Sequence, residues 1–285
     1  MRAAAGSCAQ VTEPFPLRSA TSWGFEPGDA VAPGRRVLRR LGHGGGHETF
    51  LVEMGGSSLA VAKLPRPRLA GDVHRLVSLR DEGRALSRLA SPAVPRHLDT
   101  VLDGPHPHLL MEYVAGPTLR TAIASRGSLP ASLVAGLGRA MALALDVIEC
   151  AGWVHLDVKP ENIVLNAAPR LVDFELARPA VDAARMTEPT GTWQYMPPEQ
   201  RAAGTWGAAR IGPPADVFAL ALTLCEALTG RSRERAPEPE VPSGAVGRVL
   251  ADALAPAPED RPQAAELAAA LAGLSDDEPQ LALAA

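Results

Sequence analysis

The pattern of apolar and polar positions divides the chain into a strand-rich first part and a helix-rich remainder. Two strands joined by glycines are predicted over residues 37–54, and the alternating run 59–64 predicts a third strand. A further strand is expected at 109–114, ahead of a glycine. Helices are predicted over 72–89, 117–128, 130–151, 216–228, 244–255 and 263–273. The chain should therefore form an α+β protein.

The composition predicts a chain that buries a substantial core. It has 285 residues, of which 46% are apolar, and its net charge of −4 gives no sign of a nucleic-acid or membrane partner. No apolar run is expected to reach transmembrane length. Cys8, Cys150 and Cys225 lack the spacing of a metal site or a disulfide framework, so a reducing, cytoplasmic compartment is expected.

Lysine is scarce in this chain. Among the 28 basic residues only two are lysines, Lys63 and Lys159. The abundance of Ala, Pro and Arg looks like a coding bias that replaces lysine wherever arginine will serve. The two side chains differ in shape, donor geometry and hydration, so a site that needs a compact ammonium resists the exchange. Both lysines are therefore candidate functional residues, and the scarcity of asparagine singles out Asn162 and Asn166 in the same way.

Candidate chemistry is concentrated in residues 155–165. Asp157 can accept a proton from an attacking hydroxyl group, or orient it. Lys159 can neutralise a phosphate during transfer, and Asn162 can hold a metal ion through its carbonyl oxygen. Pro160 fixes φ and removes a donor, which favours a rigid loop over a helix. A polar loop that ends in a strand is the alternative interpretation of this spacing taken alone.

This stretch resembles the catalytic loop H-R-D-x-K-x-x-N of eukaryotic-type protein kinases, in the form typical of Ser/Thr kinases. Leu156 stands where most members of the family carry arginine. The resemblance extends over about residues 35–272, with the other motifs in the family's order. It implies a two-lobed protein kinase-like fold, with a small antiparallel sheet in the first lobe and a mainly helical second lobe. It also implies ATP and Mg²⁺ as cofactors and a protein substrate with a Ser or Thr acceptor.

Domain boundaries follow from this resemblance and from composition. Residues 1–33 are expected to form a mostly flexible N-terminal arm, with docking of Trp23 and Phe25 on the first lobe as the alternative, and residues 275–285 a loose tail. The kinase domain is expected over 35–274, with its N-terminal lobe over 35–115 and its C-terminal lobe over 116–274.

A glycine-rich hairpin carries the resemblance in the first lobe. Backbone N–H groups of such a hairpin can approach phosphates closely. Gly42 and Gly44 match the family's G-x-G-x-x-G, whereas His47 replaces the third glycine. Gly45 and Gly46 follow directly and are expected to supply the missing flexibility.

The family's site residues carry over as follows. Lys63 matches the lysine of V-A-I-K, and Glu82, with Asp81 as the alternative, matches the helix glutamate that pairs with it. The resemblance implies catalytic roles for Asp157, Lys159, Asn162, Lys63 and Glu82, and metal ligation by Asn162 and Asp173. It implies nucleotide contacts at Leu41, Gly42, Gly44, Gly45, Ala62, Lys63, Glu112, Val114, Val164 and Asp173, with adenine on the backbone of Glu112 and Val114.

Two further motifs carry structural expectations. Asp173-Phe174-Glu175 resembles D-F-G, but Glu175 replaces glycine, adds a negative charge and restricts the backbone without removing a ligand. Gly191-Thr192 and Pro197-Pro198-Glu199 resemble G-T and A-P-E, which shape the groove for a peptide substrate. The resemblance also implies that Glu199 pairs with Arg261 and that Asp216 caps backbone N–H groups of the catalytic loop.

Two other functions stay open at this point. An ATP-binding pseudokinase that acts as a scaffold is favoured by the departures at His47, Leu156 and Glu175, and opposed by the intact lysine, aspartates and asparagine. A kinase-like enzyme that phosphorylates a small molecule is opposed by the peptide-groove motifs, because a small substrate needs no such groove.

Overall fold

The computed structural model describes residues 21–44, 46–56, 58–89, 91–233 and 240–274. Its first lobe is a six-stranded antiparallel sheet with the strand order β1-β2-β3-β4-β6-β5. The strands are β1 (Ala30–Ala32), β2 (Arg35–Gly44), β3 (His47–Met54), β4 (Ser58–Pro65), β5 (His97–Val101) and β6 (His108–Glu112). One long helix, α1 (Val73–Arg88), packs against this sheet, and the Asp72 side chain caps its N-terminus.

Each face of this sheet belongs to a different core. Ala62, Phe50 and Leu110 lie on one face in a small apolar cluster, while Val61 packs into the main core that continues into the second lobe. Side chains alternate between the faces along a strand, so Val61 and Lys63 share the face that looks toward the second lobe.

For residues 21–33 the structure has the alternative expectation, in which Trp23 and Phe25 dock on the first lobe, and not a flexible arm. The Trp23 indole donates a hydrogen bond to the carbonyl of Pro65 at 2.8 Å, and its ring stacks on Phe25. Both aromatic side chains pack against the small apolar cluster, and β1 pairs with β2. Burial of aromatic surface against the sheet offsets the entropy that a free arm would keep. Residues 1–20 and the predicted tail 275–285 lie outside the described part of the chain.

The second lobe is mainly helical, as expected. Its helices are α2 (Leu119–Arg126), α3 (Ala131–Cys150), α4 (Ala180–Ala183), α5 (Pro198–Arg201), α6 (Pro214–Thr229), α7 (Ala245–Ala253) and α8 (Ala264–Ala272). Its short strands are β7 (Trp153–Val154), β8 (Ile163–Val164), β9 (Arg170–Leu171) and β10 (Arg178–Pro179). Residues of α6 are buried from Ala215 to Ala227, which confirms the predicted central helix.

Helix α3 corrects the expectation that no apolar run reaches transmembrane length. Its 20 residues have a mean hydropathy of 1.6 over an 18-residue window, so length and composition alone are sufficient to cross a membrane. In this fold α3 packs against α6 and α8, and residues such as Leu137, Met141 and Ile148 are buried in the main core.

Two buried acidic side chains, Asp216 and Glu199, hold loops of this lobe in place. Both of their contacts were predicted from the sequence. The Asp216 carboxylate accepts hydrogen bonds from the backbone N–H groups of His155 at 2.7 Å and Leu156 at 2.8 Å. The Arg261 guanidinium donates to both carboxylate oxygens of Glu199, at 2.6 and 2.8 Å. The first contact fixes the loop 155–165, and the second ties α5 to the segment that precedes α8.

We expect Glu199→Gln to lower the free energy of unfolding by about 3 kcal/mol, because it leaves the buried Arg261 charge without its counter-ion. Chemical denaturation followed by circular dichroism measures this loss. The matched control is Glu259→Gln, which neutralises an exposed glutamate nearby. Equal stability losses for the two variants would contradict a structural role for the buried pair.

Candidate active site

A cleft of about 690 Å³ lies between the two lobes and contains most of the predicted site residues. The first lobe contributes the hairpin, β4, α1 and the chain after β6 to the walls of this cleft. The second lobe contributes the loop 155–165 and the segment after β9. The predicted residues that line it are Leu41, Gly44, Lys63, Glu82, Glu112, Val114, Asp157, Lys159, Asn162, Val164 and Asp173.

Two predicted nucleotide contacts are not among the residues that line the cleft. Ala62 is wrong, because it points into the small apolar cluster on the opposite face of the sheet, and Val61 lines the cleft in its place. The sequence held a signal for this assignment, because residues two apart in a strand share a face and Val61 lies two residues before Lys63. Gly42 follows a β-bulge in β2 and is absent from the lining, whereas Leu41 is present. Gly45 lies outside the described residues.

Lys63 is the charged centre of the cleft. Its ammonium lies 2.9 Å from Glu82, 2.8 Å from Asp173 and 3.0 Å from Glu175. The predicted pairing with Glu82 is therefore present, and Asp81 instead bonds Arg80 and Arg84 on the outer side of α1. Sequence reasoning missed the contact with Glu175.

The pKa values in this cluster follow from burial and from the single ammonium. Burial disfavours the charge of Lys63, but the three carboxylates outweigh it and raise its pKa well above the usual value. Burial raises the pKa of Glu82 to about 7, against the attraction of Lys63. At Asp173 the ammonium prevails over burial and lowers the pKa to about 2. Asp173 therefore carries a full negative charge at neutral pH.

Glu175 and His47, two departures from the family pattern, contact each other. The His47 Nδ1 atom lies 3.2 Å from Glu175 Oε1, and His47 is only 3% exposed. Against the effect of burial, the close contact with His47 and the charge of Lys63 lower the pKa of Glu175 to about 2. The sequence shows both departures, but it holds no signal that they meet, since they lie 128 positions apart.

The loop 155–165 presents its polar groups as one connected network. Asp157 Oδ2 accepts from Lys159 Nζ at 2.7 Å and from Asn162 Nδ2 at 3.2 Å. Asp157 Oδ1 accepts from the backbone N–H of Thr192 at 3.0 Å and from its hydroxyl at 2.7 Å. Lys159 Nζ also donates to the Thr192 hydroxyl at 2.8 Å. Thr192 therefore joins Asp157 and Lys159 in one network.

Asn162 and Asp173 offer the oxygens that a divalent cation requires. The amide nitrogen of Asn162 donates to the backbone carbonyl of Asp157 at 2.9 Å, which leaves the amide oxygen as the atom for a cation. The Asp173 side chain is 43% exposed and borders the same cleft. Among the described residues, no cluster of three or more His, Cys, Asp or Glu side chains is arranged to hold a metal. An amide oxygen and a carboxylate are the kind of hard oxygen ligands that Mg²⁺ binds together with phosphate oxygens, so the pair fits this ion.

Aromatic packing positions Asp173. Phe174 is fully buried, and its ring lies 4.7 Å from the ring of His155 in an edge-on arrangement. Asp173 itself adopts φ = 65°, which is uncommon for a residue with a side chain. The neighbouring packing holds this conformation and keeps the carboxylate on Lys63.

The chain that joins the lobes borders the cleft with Glu112, Tyr113 and Val114. The Glu112 N–H already donates to the carbonyl of Arg96 at 2.9 Å, and the Glu112 carboxylate binds Arg170 at 2.8 Å. The backbone carbonyl of Glu112 is therefore the group it can offer to a ligand. Val61 and Val164 supply apolar side chains at the same end.

Leu156 packs as an apolar side chain beneath the segment that follows Asp173. It is 3% exposed and lies in a cluster with Val154 and Ala183, against which Met186 also packs. Ala183 and Met186 belong to residues 176–190, which lie between the Asp173-Phe174-Glu175 and Gly191-Thr192 motifs. Apolar contact therefore anchors this segment at the position where the family carries a charged side chain.

Two lobes around a cleft with a paired lysine and an acid-lysine-asparagine loop define a protein kinase domain. The chain belongs to this family, since residues 35–268 match the family model described as "Protein kinase domain". The PknI kinase domain of Mycobacterium tuberculosis is similar in structure, with a TM-score of 0.65 and 28% sequence identity. That likeness covers 88% of this chain and 99% of the PknI chain.

Curated relatives are bacterial kinases. The chain is 34% identical over 243 residues to the probable serine/threonine-protein kinase PkwA of Thermomonospora curvata. The matched region covers 82% of this chain and 31% of PkwA. It is 38% identical over 175 residues to the serine/threonine-protein kinase PknL of Mycobacterium tuberculosis, which covers 60% of this chain and 42% of PknL. The chain therefore spans less than half the length of these relatives.

Proposed function

We propose that this protein is an ATP-dependent Ser/Thr protein kinase that transfers the γ-phosphoryl group of ATP to a protein hydroxyl. The observation that carries the proposal is the connected network of Asp157, Lys159 and Thr192 opposite the Lys63–Asp173 pair, across one cleft. Such chemistry needs positioning and neutralisation of charge more than covalent participation by the protein.

Each polar group then has a role that its contacts support. Asp157 orients the substrate hydroxyl and accepts its proton, since it is the carboxylate at the centre of the loop network. Lys159 lies 2.7 Å from Asp157 and steadies the transferred phosphoryl group. Lys63 holds the α- and β-phosphates, with Glu82 fixing the ammonium from α1. The adenine ring lies between Leu41, Val61 and Val164, near the backbone of Glu112 and Val114.

Asn162 and Asp173 would hold Mg²⁺ through their side-chain oxygens. A magnesium ion supplies electrostatic neutralisation of the phosphate oxygens when it is bound. The protein's own contribution is to keep both ligands in place, through Asp157 on one side and Lys63 on the other.

A protein substrate is favoured over a small molecule by Gly191-Thr192 and Pro197-Pro198-Glu199, which resemble the motifs that shape a peptide groove in the family. Trp193, which follows Thr192, is 54% exposed, and Arg201 stacks over its ring and donates to its backbone carbonyl. The scaffold alternative finds no support in the site, because the departures leave Asp157, Asn162 and Asp173 at the cleft. A cytoplasmic location is part of the proposal, in keeping with the free thiols of Cys150 and Cys225.

The direct test is transfer of label from ATP in the presence of Mg²⁺, with and without a generic basic protein. We expect Asp157→Asn to reduce the initial rate roughly 100-fold or more, because the hydroxyl loses its acceptor. The matched control is Asp252→Asn on α7, where the aspartate is exposed and far from the cleft. Nucleotide binding without transfer in the unaltered protein would favour the scaffold alternative.

We expect Lys63→Arg to abolish phosphoryl transfer while the protein stays folded. A guanidinium keeps the charge, but it cannot reproduce the compact contact of an ammonium with two phosphates and Glu82. Initial rates and thermal unfolding are measured together. The control is Arg36→Lys, which exchanges the same two residue types at an exposed position and should leave the initial rate unchanged. Retention of most activity by Lys63→Arg would remove this lysine from the proposed site.

Activity is expected to be independent of phosphorylation in the segment 176–190. A phosphate there gains nothing from Leu156, which has no donor and no charge, and apolar packing already anchors the segment. The Thr187→Ala, Thr190→Ala double variant and phosphatase-treated protein should both keep most of the original rate. A loss of about tenfold or more in both samples, or about 1.4 kcal/mol in the barrier, would reveal a phosphate switch read by another arginine.

A further inference from the structure

Three carboxylates crowd the Lys63 ammonium in this conformation. One oxygen of each lies within 3.0 Å of the nitrogen, and Asp173 accepts a hydrogen bond from it at 2.8 Å. A phosphate oxygen that approaches Lys63 must therefore compete with these carboxylates for contact with the ammonium. The question is which of the three leaves at the lowest cost.

Glu82 and Asp173 are poor candidates for release. Glu82 is 1% exposed, so separation from Lys63 would leave a carboxyl group in the protein interior without its counter-ion. Asp173 borders the cleft, and its carboxylate is one of the two proposed metal ligands. Both contacts therefore support the proposed reaction and should persist when nucleotide binds.

Glu175 is already attached elsewhere. Its Oε2 atom contacts Lys63 at 3.0 Å, whereas Oε1 lies 3.2 Å from His47 Nδ1 and 3.7 Å from Arg75 Nη1. Breaking the Oε2 contact leaves the Oε1 contacts intact. His47 is the first residue of β3, and Arg75 lies in the first turn of α1, so the released carboxylate remains held by both elements.

The released side chain also has polar surroundings. Glu175 lines the cleft and, on its other side, a second cavity of about 930 Å³ between α1 and the segment 175–182. That cavity is also lined by four arginines, Arg75, Arg84, Arg88 and Arg178, which outnumber its two aspartates, Asp81 and Asp182. A carboxylate that turns away from Lys63 therefore stays close to positive charge.

We propose that Glu175 sets nucleotide affinity by competing with the phosphates for the Lys63 ammonium. His47 keeps the carboxylate beside Lys63 in the absence of nucleotide and retains it when the phosphates enter. This inference rests on the proposed function, in that it takes the cleft to be the nucleotide site. It explains why the two departures from the family's glycine positions touch each other, since the histidine secures the glutamate.

The test compares nucleotide affinity in Glu175→Gln with that of the unaltered protein, by calorimetric titration with Mg²⁺ present. Loss of the competing charge should lower the Kd for ATP and for ADP about tenfold, the size of one charge-assisted hydrogen bond. Adenosine has no phosphate, so its Kd should stay within about twofold. A change in general cleft structure would instead move all three ligands together.

Two further variants make the result specific. Glu53→Gln removes the same charge from an exposed position on β3 and should leave all three affinities unchanged. Glu175→Gly removes the side chain altogether and should tighten ATP binding in the same direction, with turnover preserved or raised. Thermal unfolding confirms that each variant is folded.

The outcomes separate this inference from the proposed function. Unchanged or weaker ATP binding in both Glu175 variants overturns the inference, as does an equal shift for adenosine. Selective tightening for ATP and ADP without any transfer to protein supports the inference and counts against the kinase proposal. Transfer activity with no change in affinity supports the kinase proposal alone.

Discussion

One buried ammonium holds the cleft together. Lys63 comes from β4, and its three acidic partners come from α1 and from the segment after β9, so a single cation joins both lobes. Without it, three carboxylates would face one another at low dielectric, where repulsion between like charges is strong. The position of α1 and the orientation of Asp173 both depend on this attraction.

The loop 155–165 rests on a second constraint, which is backbone conformation. Leu156 adopts φ = 68° and Asp173 adopts φ = 65°, and both are unusual for residues that carry a side chain. At Leu156, Asp216 offsets the cost of this conformation, because its carboxylate accepts hydrogen bonds from the backbone N–H groups of His155 and Leu156. Its own burial raises the pKa of Asp216 to about 7. The loop is therefore held from below by the central helix α6.

The sequence predicted much of this arrangement, and the reasons differ from residue to residue. Lys63, Lys159 and Asn162 were accessible because their residue types are scarce in this chain, and Asp157 because its spacing from Lys159 and Asn162 matches a known motif. The Lys63–Glu82 contact followed from motif order along the chain. The sheet faces were also available from alternation, and the assignment of Ala62 in place of Val61 missed that signal. The contact between His47 and Glu175 depends on three-dimensional packing. The sequence around each residue shows that it differs from the family's glycine, but it does not indicate that the two side chains meet.

The scarcity of lysine has a consequence for the chemistry of the whole molecule. Apart from the terminal amine, every primary amine of the chain belongs to Lys63 or Lys159, and both lie at the cleft. Lys63 is 6% exposed, and the Lys159 side chain is 19% exposed. Reagents that acylate amines therefore meet an outer surface that is nearly inert, and any modification beyond the terminus occurs where the nucleotide and substrate would lie. Amine reactivity in this protein is a property of the cleft, and an occupied cleft would shield all of it.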